Sequence, residues 1–207
     1  MGIQLEDGKG TGILQAVNDE GLARTLTVAG SLSGHASNDD GDAFTVFGTA
    51  NITSGIVVAL HIVNNDPELL FLVDRVTVQG IGLSGGVFGS GTPIPSQTAF
   101  FSLGYNRTVS TGGSGLNPVC INRTSINIAN VTATGFNPTM NATPTFVESQ
   151  RWYIQANGWA YDLVIPREDD IILGRTNTIE IRYTSDNTSG TVLASMKFIM
   201  RNAGEMP

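Results

Sequence analysis

A chain of 207 residues, 41% of them hydrophobic, is long enough to bury a core without covalent staples. Its net charge of −7, pI near 4.6 and 11 Lys and Arg speak against a groove that follows nucleic acid and against a patch for anionic membranes, since both need clustered cations. One cysteine, Cys120, excludes an internal disulfide and any cysteine-based zinc site, and it is expected to behave as a small buried hydrophobe.

Residues 1–12 are expected to form an extended N-terminal arm, with glycines at 8, 10 and 12 and only Ile3 and Leu5 as apolar anchors. The first ten residues lack the apolar run of a signal peptide, and Glu6 stands where myristoylation wants Ser or Thr. No stretch approaches the roughly 18 apolar residues of a membrane span. Short strands are expected at 13–17 and 22–28, around a turn at 18–21, then a loop at 29–42 and a strand at 43–48. Asn38-Asp-Asp-Gly-Asp42 makes a weak Ca²⁺ loop conceivable, but it lacks the EF-hand spacing and the distal Glu, and a solvated turn is the plainer reading.

The centre of the pattern is Ser54–Gly80. Two β-rich runs flank the turn Asn64-Asn-Asp-Pro-Glu68, whose Asn and Asp bond their own backbone and whose Pro67 pre-sets φ. Ile56, Val58, Leu60 and Ile62 share one face of the first run, and Val57, Ala59, His61 and Val63 share the other. Leu70, Leu72, Val76 and Val78 share one face of the return run, broken by Asp74. Strands apolar on both faces belong inside a structure, so this hairpin is expected to form the core of one sheet.

A glycine-rich loop is expected at 80–96, a strand from Thr98 to Leu103 and a second glycine loop at 110–118. Val119–Ala133 alternates weakly, with Ile121, Ile126, Ile128 and Val131 as apolar points. Asn/Pro turns follow at Asn137-Pro138 and Thr143-Pro144. Phe146–Ala160 is the one stretch where a short helix could sit. Trp152, Tyr153, Trp159 and Tyr161 concentrate the aromatics there, as a lid or subunit contact in preference to a glycan platform. Strands at 161–165, 171–173, 178–184 and 191–200 complete the chain, the last two as a hairpin. In that hairpin Ile179, Ile181 and Tyr183 oppose Glu180 and Arg182. Val192, Ala194, Met196, Phe198 and Met200 oppose Lys197 and Arg201. About eleven strands imply an all-β fold, an antiparallel β-sandwich or jelly roll, with a single domain at 13–207 after the arm.

No catalytic, cofactor or metal site is legible. Gly80-Ile-Gly-Leu-Ser-Gly85 matches a dinucleotide fingerprint, but two prolines follow where a helix is needed. Glu168-Asp-Asp170 is a solvated charge run. The two histidines, His35 and His61, have no companion at metal spacing, and His61 is expected to be packed or hydrogen-bonded. Six glycosylation sequons, at Asn51, Asn106, Asn122, Asn130, Asn141 and Asn187, are what an Asn- and Thr-rich β-protein generates by chance. No G-x-S-x-G elbow is present, while carboxylate pairs formed in space stay open.

Several stretches resemble virion structural proteins of tailed bacteriophages: Gly2–Leu22, His35-Ala-Ser, Asp40–Phe44, the run at 54–80, the loop Gly112–Val119, and Ile172–Ile181 with Gly190–Phe198. The resemblance implies a non-enzymatic assembly protein, a capsid decoration (cement) protein that stabilises the head from outside. It would be made in the host cytoplasm and carried in the virion. Its implied partners are the major capsid protein and further copies of itself, a trimer in the form such proteins commonly take. Direct contact with nucleic acid or membrane is not expected. A tail, adaptor or baseplate role stays open, as does a carbohydrate-binding β-protein for host recognition.

Overall fold

The computed structural model describes residues 41–52, 55–84, 99–122, 124–153, 161–164, 171–185 and 189–202. All belong to the second of two compact units into which the chain divides, Leu32–Pro207. The arm, the strands expected at 13–28, His35, most of the Asn38–Asp42 loop and Trp159 lie outside the described residues.

The described elements are all strands: β1 (Ala43–Asn51), β2 (Gly55–Asn64), β3 (Leu69–Ser84), β4 (Phe100–Tyr105), β5 (Val109–Thr111), β6 (Ser114–Leu116), β7 (Val119–Cys120), β8 (Val131–Gly135), β9 (Thr139–Met140), β10 (Val147–Tyr153), β11 (Tyr161–Val164), β12 (Ile171–Leu173), β13 (Thr178–Ser185) and β14 (Ser189–Asn202). One sheet runs β11-β3-β14-β1-β7, with β12 also paired to β3, and the other runs β10-β4-β13-β2-β8-β6. The first strand pairs with the last in one sheet, and the second with the last but one in the other. An antiparallel ribbon wrapped over two sheets in this way is a jelly roll. The segment between β4 and β10 widens it, adding β7 beside β1 and β8 with β6 beside β2.

Inward residues of both sheets meet in one cluster that includes Phe44, Leu60, Phe71, Leu103, Ile181 and Met196. Phe198 stacks against Phe71 at 4.2 Å and Phe44 at 5.6 Å, and Phe101 tilts against Tyr183 at 5.2 Å. The alternation expected in the last two strands holds: Ile179, Ile181 and Tyr183 of β13 and Val192, Ala194, Met196, Phe198 and Met200 of β14 enter this core.

The central hairpin is not a hairpin. β2 and β3 lie in opposite sheets, and the turn between them carries the chain across the sandwich. The turn chemistry is as expected: Asp66 N–H donates to Asn64 Oδ1, and the N–H groups of Glu68 and Leu69 donate to Asp66 Oδ1. Buried Asn64 braces the corner by donating from Nδ2 to the carbonyls of Leu69 and Leu173, 3.0 Å each. Its backbone goes sideways, with Asn64 N–H to the Asn177 carbonyl and Thr176 N–H to the Asn64 carbonyl. A strand apolar on both faces wants a partner on each edge, and each strand finds two in its own sheet. The closing pair is corrected likewise, since β13 and β14 lie in opposite sheets.

Two bulges rearrange the expected faces. In β2 the ladder to β13 pairs Leu60 with Ile181 and Val58 with Arg182, leaving Ala59 as the extra residue. Leu60 and Ile62 face the core, but on the far side of the bulge Val57 takes the inward place and Ile56 is 55% exposed. In β3 the extra residue against β14 is Asp74. Phe71, Val73, Val76 and Val78 therefore face inward, while Leu72 joins a small cluster with Ala43 and Ile199. Lys197 Nζ lies 3.4 Å from Asp74 Oδ2 on the outside.

Three further expectations give way to strand. Residues 80–84, read as loop, continue β3 against β14. Short strands β5 and β6 interrupt the loop at 110–118. Val147–Tyr153, where a helix could sit, is β10, laddered to β4 with a register shift between Glu148 and Gln150. Between β7 and β8 no described residue is in a strand, and Ile121, Ile126 and Ile128 are exposed.

Candidate functional site

Two stretches of the chain, around Arg107 and at Phe146, lie against the outer face of the second sheet, over His61 and Arg182. Asn106 and the pair Phe136-Asn137 take positive φ, which turns the chain at both ends of the cover. Asn137 pins the turn onto β2: its Oδ1 accepts from Val58 N–H and its own N–H donates to the Val58 carbonyl, 3.1 Å each. Arg107 Nε donates to the Asn141 carbonyl at 2.8 Å. The Phe146 ring lies over the Arg182 guanidinium at 3.3 Å. Gly104 is required beneath it, because a Cβ there would strike the Phe146 ring and the Val147 carbonyl.

Under this cover lies the one group of buried ionisable side chains among the described residues. Glu180 stands across from His61 on one side and Gly104 on the other, and Arg182 stands across from Ser102. Alternation predicts that Glu180 and Arg182 face solvent. They do leave the core side, yet they are 1% and 7% exposed because a segment distant in sequence closes over them. Arg182 Nε donates to Glu180 Oε1, while Glu180 Oε2 and Arg182 Nη2 are left without partners. Burial outweighs this pairing: desolvation pushes the Glu180 carboxyl up and the Arg182 guanidinium down.

His61 is packed and hydrogen-bonded, as its place in a central strand suggests. Its Nε2–H donates to the Arg107 carbonyl at 2.9 Å, and its buried Nδ1 has no partner. Desolvation lowers its pKa below 6.5. Ser102, His61 and Glu180 thus share a face without forming a nucleophile–base relay, since the carboxylate is turned to Arg182 and His61 gives its proton to a backbone carbonyl.

A pH prediction follows from the His61 shift. A histidine whose folded pKa is depressed contributes stability that is complete above the unfolded pKa, about 6.5, and lost as pH falls below it. His61→Gln keeps an N–H for the Arg107 carbonyl and cannot charge. Between pH 7 and 5.5 the unfolding free energy of the wild type should fall more steeply than that of the variant, by up to about 1.4 kcal/mol per pH unit. Denaturant titrations at a series of pH values measure this, and parallel slopes would mean that water reaches His61.

The exposed apolar residues mark a different surface. Ile126 is 92% and Ile128 90% exposed, on a stretch whose base is tied down. Between them Asn127 Nδ2 donates to Asp42 Oδ1 at 3.0 Å and the Gly41 carbonyl at 3.4 Å. Half-buried Cys120 donates from Sγ to the same carbonyl. Gly41, at φ 71°, leaves the space that the Ser125 side chain fills. Beside this finger opens a depression of about 290 Å³, with Phe44, Leu69, Ala129 and Met200 in its lining. Asp42, the described acidic member of the conceivable Ca²⁺ loop, is engaged by Asn127, and no metal-binding group of three or more ligands occurs among the described residues.

The outer face of the first sheet carries Phe47, 67% exposed, at a smaller apolar depression of about 160 Å³ shared with Leu193 and Thr77. Of the aromatic cluster, Trp152 packs against the core and Tyr153 is 59% exposed. Arg151 lies 4.2 Å over the Phe100 ring and pairs with Glu148, which holds its guanidinium protonated. No helix among the described residues is long and apolar enough to cross a membrane.

Sequence reasoning missed both places. The buried pair carries no signal beyond two charges in an alternating strand. The finger shows in the sequence only as apolar points of a weakly alternating stretch. No family model, no curated protein and no solved structure matches the chain.

Proposed function

We propose that this chain is a non-enzymatic structural protein of a tailed-phage virion, a decoration protein that braces the head from outside. The observation that carries the reading is the finger, because isoleucines held in water by a hydrogen-bonded base are contact residues in want of a partner. The stretches that resemble phage virion proteins and the net charge of −7, which suits an outer surface better than a DNA-facing one, support it. The partners are the major capsid protein and further copies of this chain, as a trimer. Many weak contacts across capsomer seams would stabilise the shell by mass action, since the protein binds only the assembled state. Against the carbohydrate reading, of the aromatics at 152–161 Trp152 packs against the core and Arg151 lies 5.9 Å from the centre of the Tyr153 ring.

The test is a particle lacking this protein. Heads should form but burst sooner on heating or lowered salt, and added protein should restore them. Heads that stay robust while particles lack a tail or fail to adsorb would move the protein to the tail, adaptor or baseplate.

A further inference from the structure

We infer that β5 and β9, with the turns beside them, form a flap that lifts off the second sheet as a unit, and that proton uptake by His61 accompanies its departure. Among the described residues β5 and β9 pair only with each other and belong to neither large sheet. The flap is held together from within. Asn141 N–H donates to the Thr108 carbonyl, Asn141 Nδ2 to Thr108 Oγ1 at 2.7 Å, and Arg107 Nε to the Asn141 carbonyl. Its pins to the sheet are local. His61 Nε2–H donates to the Arg107 carbonyl, Asn137 exchanges two hydrogen bonds with the Val58 backbone, and the Phe146 ring lies over Arg182. Positive φ at Asn106, at Gly112-Gly113 and at Phe136-Asn137 marks the connections to β4, β6 and β8, where a few residues can absorb a rotation while those strands keep their ladders.

What lies beneath favours opening. His61 Nδ1, Glu180 Oε2 and Arg182 Nη2 are buried there without partners, and each regains water when the flap lifts. The apolar cluster between the sheets lies on the other face of β2 and β13 and is not disturbed. Opening of this kind belongs at the low end of the free energies at which parts of a protein come apart. The charges around His61 set its response to acid. Glu180 and Arg182 stand beside it on β13 and Arg107 on the flap, β8 on its other edge carries no titratable group, and Glu148 on β10 acts on Arg182. With the flap closed the site is dry and Arg107 repels a second cation, so the ring stays neutral. With the flap open the ring is in water and titrates near its ordinary value, about 6.5. A proton that binds the open form alone shifts the equilibrium towards it, as any ligand selective for one state does.

Amide hydrogen exchange of the purified protein reads the opening, and it stands whatever the outcome of the particle test. The reporters are Asn137 N–H and Val58 N–H, whose acceptors lie across the contact between flap and sheet. Corrected for the intrinsic rate, their exchange should be level above about pH 7 and rise by up to about tenfold per pH unit below about pH 6.5, one proton being taken up per opening. Amides in the ladder between β13 and β4 should keep their protection over the same range. If they lose it in step with the reporters, His61 takes its proton only in global unfolding and the flap is overturned, as it is by reporters indifferent to pH. His61→Gln, which keeps an N–H for the Arg107 carbonyl, should leave the reporters exchanging at one rate throughout, and a slope as steep as that of the wild type overturns His61 as the acceptor. Phe146→Leu, at a half-buried site, should speed both reporters at every pH with the slope retained, and unchanged rates would mean that the ring does not hold the flap down.

Discussion

Leu60→Asp yields insoluble or unfolded protein. Leu60 is fully buried and faces the cluster shared by both sheets, on a strand flanked by partners on each edge. An aspartate there puts a carboxylate into the apolar core cluster, and truncation alone removes contacts worth about 2–5 kcal/mol. Leaving an uncompensated charge adds several kcal/mol more, against a total stability of roughly 5–15 kcal/mol. Leu72→Asp is the informative companion. Leu72 is 4% exposed, but the bulge at Asp74 turns it onto the outer face, where among the described residues it clusters with Ala43, Ile199 and the partly buried Leu70. It should cost measurably less and remain refoldable. Solubility, near-UV circular dichroism and melting temperature decide between them. A soluble Leu60→Asp melting like the wild type would mean that β2 does not occupy the core, and equal losses at the two sites would mean that the bulge does not separate their faces.

The comparison of these two leucines shows where the sequence was informative. In β13 and β14 one face is buried throughout, so period-2 alternation alone assigned Ile179, Ile181, Met196 and Phe198 to the core. In β2 and β3 both faces carry apolar residues, and the pattern has no phase that could betray a bulge at Ala59 or Asp74. The turn at 64–68 announced itself through Asn64 and Asp66, but Asx bonds reverse a chain equally well within a sheet and between sheets. What selects the arch is the lateral bonding of Asn64 to Leu173 and Asn177, residues more than a hundred positions away. The finger was illegible for a related reason. Apolar residues record that a surface must be covered, and Ile126 and Ile128 read alike whether the cover belongs to this chain or to another. Glu180 and Arg182 mislead in the opposite sense, as charges that alternation sends to solvent and the stretches around Arg107 and at Phe146 take out of it.

That buried pair supports the sharpest energetic prediction. Arg182→Met keeps an unbranched side chain under the Phe146 ring but leaves the Glu180 carboxylate in a dry site with neither oxygen paired. Breaking a buried pair from one side typically costs about 3–5 kcal/mol, enough to lower the melting temperature by many degrees. Removing both charges, with Glu180→Leu added to Arg182→Met, takes away the desolvation penalty along with the attraction, and the double variant should recover most of the loss or exceed the wild type by about 1–4 kcal/mol. The unpaired Glu180 Oε2 and Arg182 Nη2 favour that outcome, because part of the burial penalty is uncompensated in the native protein. The pH dependence has a definite sign. Desolvation already raises the Glu180 pKa above 4.5, and loss of Arg182 removes the hydrogen bond and charge that hold it down. A carboxyl with a raised folded pKa destabilises fully above that pKa and is relieved as pH falls through it. The Arg182→Met deficit should therefore narrow as pH is lowered towards 4.5, while the double variant shows no such narrowing. Chemical denaturation of the four proteins as a double-mutant cycle, repeated across pH, measures both effects. A loss below about 1 kcal/mol in Arg182→Met, unchanged by acid, would mean that Glu180 reaches water and that the stretches around Arg107 and at Phe146 do not seal the sheet.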